Sequence, residues 1–435
     1  MNEATPDLRL ASWRCGGILF VMFLSSVLSQ TDRQLVNILL EPIKHELHAT
    51  DAQMGLLSGL YFVIFYVLAG IPIARLADRG SRRAIAASCM TVWSFATGLS
   101  GFTQSYAQLA VARAVVATGE GGCTPAIYSL ITSIFPVSAR TRALSFFTSG
   151  TAVGSGLGIF LGGTLVGALG WRHVFMVVAL PGFVLAPILL WVLPEPRRAE
   201  AAGAPPPPGV FATMRDLLRT RTFPLVGLAA IVGSIGAFGA FAWTPAFLGR
   251  VHHMSHAEIG LKLGIATSLG LVLGNLSAGY LADRLGSRDS RWALWIPALG
   301  FVFTLPTGLL SVFSPSANLS VILSAGFSYF IAFWPPPIIA SVIRIADQRA
   351  KTVAGACIAL CTSIGAALGP FVMGAMNDAM NQAYGPLAVR YSIAASVCVC
   401  ATGAILCLFA GHALPGDLER RALAERAAKL AAASA

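Results

Sequence analysis

Apolar residues dominate long stretches of the chain, and short polar clusters separate these stretches. An α-helix needs about 20 apolar residues to cross the hydrocarbon core of a membrane. Twelve stretches meet that length, at approximately 14–40, 52–75, 84–104, 106–134, 141–168, 172–193, 223–249, 257–281, 292–313, 317–343, 351–377 and 387–412. The pattern therefore predicts an all-α membrane protein with twelve transmembrane helices.

The composition also indicates that lipid surrounds most of the chain. Of the 435 residues, 56% are hydrophobic and only 11% are charged, whereas about 25% are charged in an ordinary soluble domain. A soluble protein of this size would need more charge to cover its surface. With a mean hydropathy of +0.72, the chain is neither disordered nor fibrous, and nearly all soluble multidomain enzymes are excluded.

Residues 194–222 interrupt the series of apolar stretches. This segment contains the run Pro205 to Pro208 and five arginines, a composition typical of a stiff cytoplasmic linker. We therefore predict a six-helix bundle over 1–193, a linker over 194–222, a second six-helix bundle over 223–412 and a basic cytoplasmic tail over 413–435.

The two predicted halves repeat each other. LADRGSRR in the first half contains Asp78 and Arg79, and GYLADRLGSR in the second contains Asp283 and Arg284, 205 positions later. DAQMGLL at 51–57 and HAEIGLK at 256–262 show the same offset. One offset shared by several features indicates a duplication, and hence two pseudo-symmetric halves.

The basic residues set the predicted orientation. Of the 30 lysines and arginines, 23 fall in the N-terminus, the even-numbered loops, the linker and the tail, and five fall on the opposite side. This bias places both termini in the cytoplasm of a multi-pass protein. Compact loops and short termini favour a bacterial inner (plasma) membrane, and we expect a monomer because two such halves close their own pathway. Because the net charge of +11 is confined to such loops, we expect no nucleic acid as a partner.

The sequence predicts no cofactor and no metal site. The eight cysteines lie mostly inside apolar stretches without a CxxC pair, as expected for small buried hydrophobic residues. Three histidines lie near one another at 252–256, but Glu258 is the only acidic residue in that loop. We interpret the loop as solvated rather than metal-binding.

Four charged residues lie inside predicted spans, Asp32 and Arg33 in the first and Arg113 and Glu120 in the fourth. An ionisable group within the membrane is costly and marks a functional site by default. Arg113 and Glu120 are seven residues apart and share one helix face. Asp32 and Arg33 are adjacent and point about 100° apart. Internal ion pairs that merely compensate one another are the structural alternative.

The second half lacks such charges at mid-span and offers a polar and aromatic set instead. Its members, proposed to bind substrate, are Asn275, Tyr329, Phe330, Phe333 and Trp334. Trp334 precedes three prolines in the tenth span, and Gly121, Gly122 and Pro125 occupy the corresponding place in the fourth. Interrupted helices at matching positions of two halves indicate a transporter's binding site, although kinks that serve packing are the alternative.

The loops after the second and eighth spans combine an aspartate with several arginines. Charge-assisted hydrogen bonds from such residues to neighbouring helix ends can hold one gate state and release it in another. The predicted gating residues are Asp78, Arg79, Arg82, Arg83, Asp283, Arg284 and Arg288.

These loops resemble the signature of the major facilitator superfamily of secondary transporters, and the resemblance extends over the whole chain. The fifth span adds Gly154, Gly158, Gly162 and Gly163, similar to the family's glycine-rich motif, with Ile159 in place of the usual proline. The resemblance implies the major facilitator fold, with twelve spans in two six-helix halves and alternating access between them.

Within that superfamily, DRQ in the first span and ARAVVATGEGGCTPA in the fourth resemble the spinster group. Characterised members of this group export lysolipids such as sphingosine-1-phosphate. The resemblance implies that Asp32 is the proton-responsive acid, that Arg33 anchors an anionic head group, and that Arg113 and Glu120 form the second part of the proton relay. The expected partners are therefore protons, membrane lipid and a small amphiphilic or anionic substrate.

Other functions remain open at this point. The same fold can carry small organic anions or hydrophobic drugs, because an arginine in a cavity also suits a carboxylate. A passive lipid scramblase needs no titrating group. We expect no enzyme, since HExxH and GxSxG motifs are not found at membrane depth, and GxxxxGK[ST], which an ATP-driven pump would need, is also missing.

Overall fold

The computed structural model describes residues 12–195, 209–347 and 350–433, and these residues form α-helices joined by short turns. The helices are α1 (Ser12–Ile38), α2 (Leu40–Glu46), α3 (Asp51–Ser58), α4 (Leu60–Arg79), α5 (Arg82–Ser100), α6 (Tyr106–Ile134), α7 (Val137–Val192), α8 (Val210–Leu218), α9 (Thr222–His252), α10 (His256–Gly286), α11 (Trp292–Phe313), α12 (Ala317–Ile331), α13 (Pro335–Ile345), α14 (Lys351–Tyr384) and α15 (Ala388–Ala433). A single 3₁₀ turn, Gly385–Leu387, separates the last two helices.

Eight segments of the described chain are long and apolar enough to cross a membrane. Two of them, Arg142–Val192 and Val353–Ala427, run for 51 and 75 residues and each contain two predicted spans. In α7 the two spans meet at Gly170, whose φ of 73° breaks the helix. The third and fourth predicted spans correspond to α5 and α6, which are not among the eight segments.

The chain folds as two compact units. Unit 1 comprises residues 1–49 and 61–200, and unit 2 comprises residues 50–60 and 201–435. Within unit 1, α1 packs chiefly against α7, and α5 packs against both α6 and α7. Within unit 2, α9 packs against α14 and α15, and α12 packs against α10 and α11. The division differs from the predicted bundles in one segment. Residues 50–60 lie in the first half of the sequence but belong to unit 2.

Glycines allow the closest helix contacts in both units. A Cβ built on Gly154 or Gly158 of α7 would overlap with carbonyl oxygens of α1. A Cβ on Gly365 or Gly369 of α14 would likewise overlap with carbonyl oxygens of α9. Small residues at this spacing let two helix backbones approach directly. The glycine motif of the sequence therefore serves packing, and it holds α1 at a fixed distance from α7.

Of the two interruptions expected from the sequence, the structure contains one. The predicted interruption of the fourth span is wrong, because α6 continues through Gly121, Gly122 and Pro125. The two glycines instead give room to Tyr66, Ile73 and Cys89 on neighbouring helices. In the tenth span the predicted break is real, since α12 ends at Ile331 and α13 begins at Pro335.

The described ends of the predicted linker and tail contain helices. Residues 196–208 of the predicted linker lie outside the described residues, but α8 forms immediately after them. The tail continues α15 as one helix. Within it the buried carboxylate of Asp417 accepts hydrogen bonds from the backbone N–H and the hydroxyl of Thr222, at 2.8 and 2.7 Å. This contact fixes the start of α9.

The contact between α1 and α7 predicts how glycine substitutions will differ. Gly158→Ala forces a methyl group against the Thr31 carbonyl, and overpacking of this kind costs about 1–3 kcal/mol. Gly167→Ala is the matched control, because nothing lies within 4 Å of its Cβ position, and alanine favours a helix by about 1 kcal/mol. Thermal unfolding in detergent should show a lower Tm for the first variant only. Equal Tm values would contradict the packing role.

Candidate functional site

The four charged residues of α1 and α6 form two ion pairs within unit 1. Arg113 Nη1 lies 2.8 Å from Asp32 Oδ2, and Arg33 Nε lies 2.7 Å from Glu120 Oε2. Asp32 and Arg33 follow one another along α1 and point in different directions. Arg113 and Glu120 lie about two turns apart on one face of α6. Asp32 and Arg33 therefore pair with different residues of α6.

The ion pair of Asp32 and Arg113 is buried inside unit 1. Asp32 is 2% exposed and Arg113 is 1% exposed. The hydroxyl of Thr97, on α5, donates a hydrogen bond of 2.9 Å to Asp32 Oδ1. The guanidinium of Arg113 faces the rings of Phe62 and Phe175 at 5.8 and 6.0 Å. Asp32 thus has a cation on one oxygen and a hydroxyl donor on the other.

The pair of Arg33 and Glu120 is open on the side of the arginine. The Arg33 side chain is 32% exposed, whereas that of Glu120 is fully buried. The guanidinium carbon lies 4.7 Å from the centroids of both the Phe62 and the Tyr66 rings. Among the four charges, Arg33 is therefore the one that a ligand can reach.

Glu120 uses only one of its two carboxylate oxygens. Oε2 accepts hydrogen bonds from the Ser29 hydroxyl at 2.8 Å and from Arg33 at 2.7 Å. Oε1 is buried and has no hydrogen-bond partner among the described residues. Glu120 also interacts electrostatically with Asp32 and Arg113. The four groups therefore form one electrostatically linked cluster with unused acceptor capacity at its centre.

The aromatic set predicted for the second half is divided by the fold. Phe333 and Trp334 are 5% and 4% exposed, and Trp334 stacks on Phe301 with ring centroids 6.1 Å apart. These two residues pack between helices in this conformation, which differs from the predicted contact with substrate. Tyr329 and Phe330 are half-buried neighbours, with ring centroids 5.0 Å apart.

The hydrogen bond of the Asn275 side chain is made within its own helix and not to that aromatic group. Its side chain is exposed and donates a hydrogen bond of 2.9 Å to the carbonyl of Leu271, one turn earlier on α10. The neighbouring Gly274 packs against the carbonyl of Tyr329. The polar side chain of Asn275 therefore remains available, and its role in binding stays a prediction.

The predicted gating cluster of the first half gains a partner that the sequence did not suggest. Glu195, just after α7, accepts hydrogen bonds from the Ser81 hydroxyl at 2.5 Å and from the backbone N–H groups of Arg82 and Arg83, both at 3.1 Å. The side chain of Arg82 also donates to Ser133 at 3.0 Å. The side chains of Asp78 and Arg79 lie outside the described part of the structure.

The environment of Glu195 favours its charged form. Partial burial opposes ionisation, but the hydrogen bonds from Ser81 and from the backbone of Arg83 and Arg82 prevail and lower the pKa of Glu195. A carboxylate at this place also complements the positive N-terminal end of α5. Glu195 therefore joins the end of α7 to the start of α5 through a charge.

The corresponding cluster of the second half is exposed. Arg284 donates a hydrogen bond of 2.5 Å to the Tyr280 hydroxyl, one turn earlier on α10. Asp283 and Arg288 lie on the exposed surface of the same region. The structure does not join these residues into a latch like that around Glu195, so their gating role stays a prediction.

A second cluster of charges, which sequence reasoning missed, holds α3 in unit 2. Arg250 binds both oxygens of Asp51, at 2.6 and 2.8 Å. Asp378 accepts hydrogen bonds from the backbone N–H groups of Asp51 and Ala52, at 3.1 and 2.8 Å. Asp51 opens the repeated DAQMGLL motif, so the repeat drew attention to this segment without revealing its partners.

The burial of the central ion pair predicts unequal effects of removing its acids. Asp32→Asn leaves Arg113 buried without a counter-charge, and breaking a buried pair in this way costs about 3–5 kcal/mol. Glu120→Gln leaves Arg33 partly exposed and supported by two ring faces. Thermal unfolding should therefore show the larger loss of Tm for Asp32→Asn.

A double variant provides the control for this comparison. Asp32→Asn combined with Arg113→Gln removes both charges and should recover much of the lost Tm, since replacing both partners of a buried pair is often nearly neutral. If the double variant is no more stable than Asp32→Asn alone, then unpaired charge is not the reason for the loss.

The cluster around α3 gives a second prediction of stability. Arg250→Gln breaks a pair in which Asp51 is 3% and Arg250 is 15% exposed, so the expected cost is about 3 kcal/mol or more. Lys262→Gln is the matched control, because its contact with Glu258 is exposed, and such pairs contribute about 0.3–0.5 kcal/mol. Proteolysis and thermal unfolding should report a loss for Arg250→Gln alone. A similar response of both variants would show that the cluster does not hold α3.

A comparison with protein families matches this chain to the Major Facilitator Superfamily, over residues 22–370 and 251–433. Those two matches together span most of the chain. The family's fold accounts for twelve spans, so the prediction of an all-α membrane protein with two pseudo-symmetric six-helix halves is confirmed.

Two curated relatives refine the comparison. The chain is 35% identical over 382 residues to an MFS-type efflux pump of Mycolicibacterium smegmatis, with 87% of each protein covered. It is 26% identical over 410 residues to protein spinster homolog 3 of Danio rerio, covering 88% of this chain and 80% of the relative.

A solved structure agrees with these relatives. A bacterial homolog of the human lysosomal transporter Spinster, in an inward-facing and unoccupied conformation, superposes with a TM-score of 0.82 at 26% identity, covering 94% of this chain and 99% of that one. Proteins of this family are transporters and not enzymes. The chain therefore belongs to the Major Facilitator Superfamily, as a spinster-like membrane transporter.

Proposed function

We propose that this protein is a proton-coupled secondary transporter that moves an anionic or zwitterionic amphiphile by alternating access. One observation carries the proposal: the buried carboxylate of Asp32 lies next in sequence to the partly exposed cation Arg33, and each side chain is paired with a residue of α6. A proton taken up at one residue can therefore change the charge balance at the other.

The coupling proceeds through competition for the carboxylates. When Asp32 is ionised, it pairs with Arg113, and Glu120 pairs with Arg33. Protonation of Asp32 removes the counter-charge of Arg113, and a buried arginine cannot lose its own proton. Oε1 of Glu120 is then an unused acceptor within the same cluster. When Glu120 also binds Arg113, its bond to Arg33 becomes weaker. The guanidinium of Arg33 is then free to bind an anionic ligand.

The surroundings of Arg33 favour an amphiphilic ligand. Its guanidinium lies against two aromatic rings, which offer apolar surface beside a positive charge. An anionic or zwitterionic head group would bind the guanidinium, which suits phosphate and carboxylate equally well. Tyr329 and Phe330 are the half-buried members of the predicted aromatic set, and their contact with substrate stays a prediction.

The gates in this proposal are the two charge clusters around the helix ends. Glu195, with Ser81, Arg82 and Arg83, stabilises the cytoplasmic end of unit 1. The segment 50–60, held by Arg250, belongs to the opposite side of the membrane by the distribution of basic residues. The protein is proposed to act as a monomer in the inner membrane, with both termini cytoplasmic.

A second cargo class rests on one of the relatives. An efflux pump is 35% identical to this chain, and a hydrophobic drug or a small organic anion would meet the same arginine and rings. Competition between a lysolipid and an aromatic carboxylate for transport separates the two classes of cargo.

The test is transport of a labelled lysolipid in proteoliposomes, measured in both directions with and without a pH gradient. In the wild-type protein a gradient should drive the lipid, and Asp32→Asn should abolish the response to the gradient. Arg33→Ala should raise the lipid concentration needed for half-maximal transport by at least about tenfold, the effect of losing about 1.4 kcal/mol of binding. Lys262→Gln, on the exposed surface, serves as the control and should behave like the wild type.

Three outcomes would contradict the proposal. Lipid movement that ignores the gradient in the wild-type protein would indicate a passive scramblase. Gradient-driven transport that survives in Asp32→Asn would remove the role of this acid. Transport of carboxylates without transport of lysolipid would leave the coupling intact and replace the cargo.

A further inference from the structure

A small space lies against the carboxylate of Asp32 in unit 1. It is lined by three groups of residues, namely Leu28 and Asp32 on α1, Trp93, Ser94 and Thr97 on α5, and Val178, Ala179 and Gly182 on α7. Six of the seven residues other than Asp32 are buried, and Leu28 is half-buried. The space has room for about one water molecule.

One polar group in this space has no partner. Ser94 is 1% exposed, and its hydroxyl oxygen makes no hydrogen bond with any described residue. A buried hydroxyl left without a hydrogen bond costs roughly 1–3 kcal/mol, so such groups are nearly always satisfied by protein or by water. The hydroxyl of Ser100, the other buried serine of the same helix, is satisfied, because it donates to the carbonyl of Ala96 at 2.9 Å.

We propose that this space binds one water molecule, held by the Ser94 hydroxyl and the Asp32 carboxylate, and that this water delivers the proton to Asp32. The inference rests on the proposed role of Asp32 and adds a binding site and a route to it. The water acts as a relay: it accepts a proton from the solvent side as one of its own O–H bonds breaks and that proton joins a carboxylate oxygen of Asp32, while the pair with Arg113 opens. The water is unchanged at the end, so no other reactant is needed.

The position of the water separates the path of the proton from that of the cargo. The space is lined by α1, α5 and α7, whereas Arg33 lies against rings of α4 and pairs with Glu120 on α6. Adjacent residues on a helix point about 100° apart, so Asp32 and Arg33 serve different sides of α1. The proton can therefore enter while the cargo occupies its own site.

The charged groups that face Asp32 leave the water as the nearest proton donor on this side. Arg113 and Glu120 face it from α6, and Arg33 neighbours it on α1. The lining residues of α5 and α7 are apolar or carry only hydroxyl and indole groups. None of these lining groups titrates near neutral pH.

Gly182 gives direct control over the space. A Cβ built on Gly182 would overlap with the Ser94 hydroxyl. Gly182→Ala therefore fills the volume that the water would take, and Ser94→Ala keeps the volume but removes the hydroxyl. Ser100→Ala is the matched control, because it deletes a buried hydroxyl of the same helix that does not line the space.

The experiment follows protonation of Asp32 by time-resolved infrared spectroscopy after a pH jump, in lipid nanodiscs without cargo. The carboxylic acid band of Asp32 is assigned by its loss in Asp32→Asn, and the bound water by an O–H band that shifts in H₂¹⁸O. We expect the water band in the wild type and in Ser100→Ala but not in Gly182→Ala. We also expect protonation to slow by at least about tenfold in Gly182→Ala and by several-fold in Ser94→Ala.

The results separate this inference from the proposed transport function. Protonation at the wild-type rate in both cavity variants would overturn the inference, and so would a wild-type protein without the water band or without a titrating Asp32. Because cargo is absent, a failure to transport lysolipid leaves these readouts unaffected. If Gly182→Ala lowers the Tm too far to be studied, Ser94→Ala alone decides, since it removes atoms without crowding.

Discussion

The cost of burying charge governs this structure. Asp32 and Arg113 lie in a bundle whose composition offers few compensating groups, so each must find the other, and the geometry of α1 and α6 follows from that need. The glycines of α7 hold α1 close to α7, and the same α1 carries the carboxylate that pairs with Arg113 of α6. Packing and electrostatics thus constrain the same helix from two sides.

The features predicted correctly from the sequence are properties of one helix that do not depend on its neighbours, such as its length and its apolar composition. Each apolar stretch is long enough to span a membrane regardless of its neighbours, so the spans and the family could be predicted without coordinates. The four charges could also be located from the sequence, because each stands out within an apolar stretch. The spacing of seven between Arg113 and Glu120 even indicated a shared face, which both ion pairs use.

The features that escaped prediction depend on which helices become neighbours. Gly121 and Gly122 suggested a break, but they fit against Tyr66 and Ile73, and the helix passes through unbroken. Trp334 suggested a binding wall, yet it stacks on Phe301 inside the bundle. Glu195 sits after a proline at the edge of a linker, and its local sequence contains no sign of Ser81.

The membership of residues 50–60 in unit 2 has a consequence for how the protein can be assembled. The polypeptide passes between the units at 49/50, at 60/61 and at 200/201, and only the last of these crossings uses the linker. The first half of the chain thus donates an element that completes the second. If the chain were made as two fragments divided within 196–208, residues 50–60 of the first fragment would still pack into unit 2. The two fragments would therefore bind each other through this segment. The linker would be dispensable as a covalent tether.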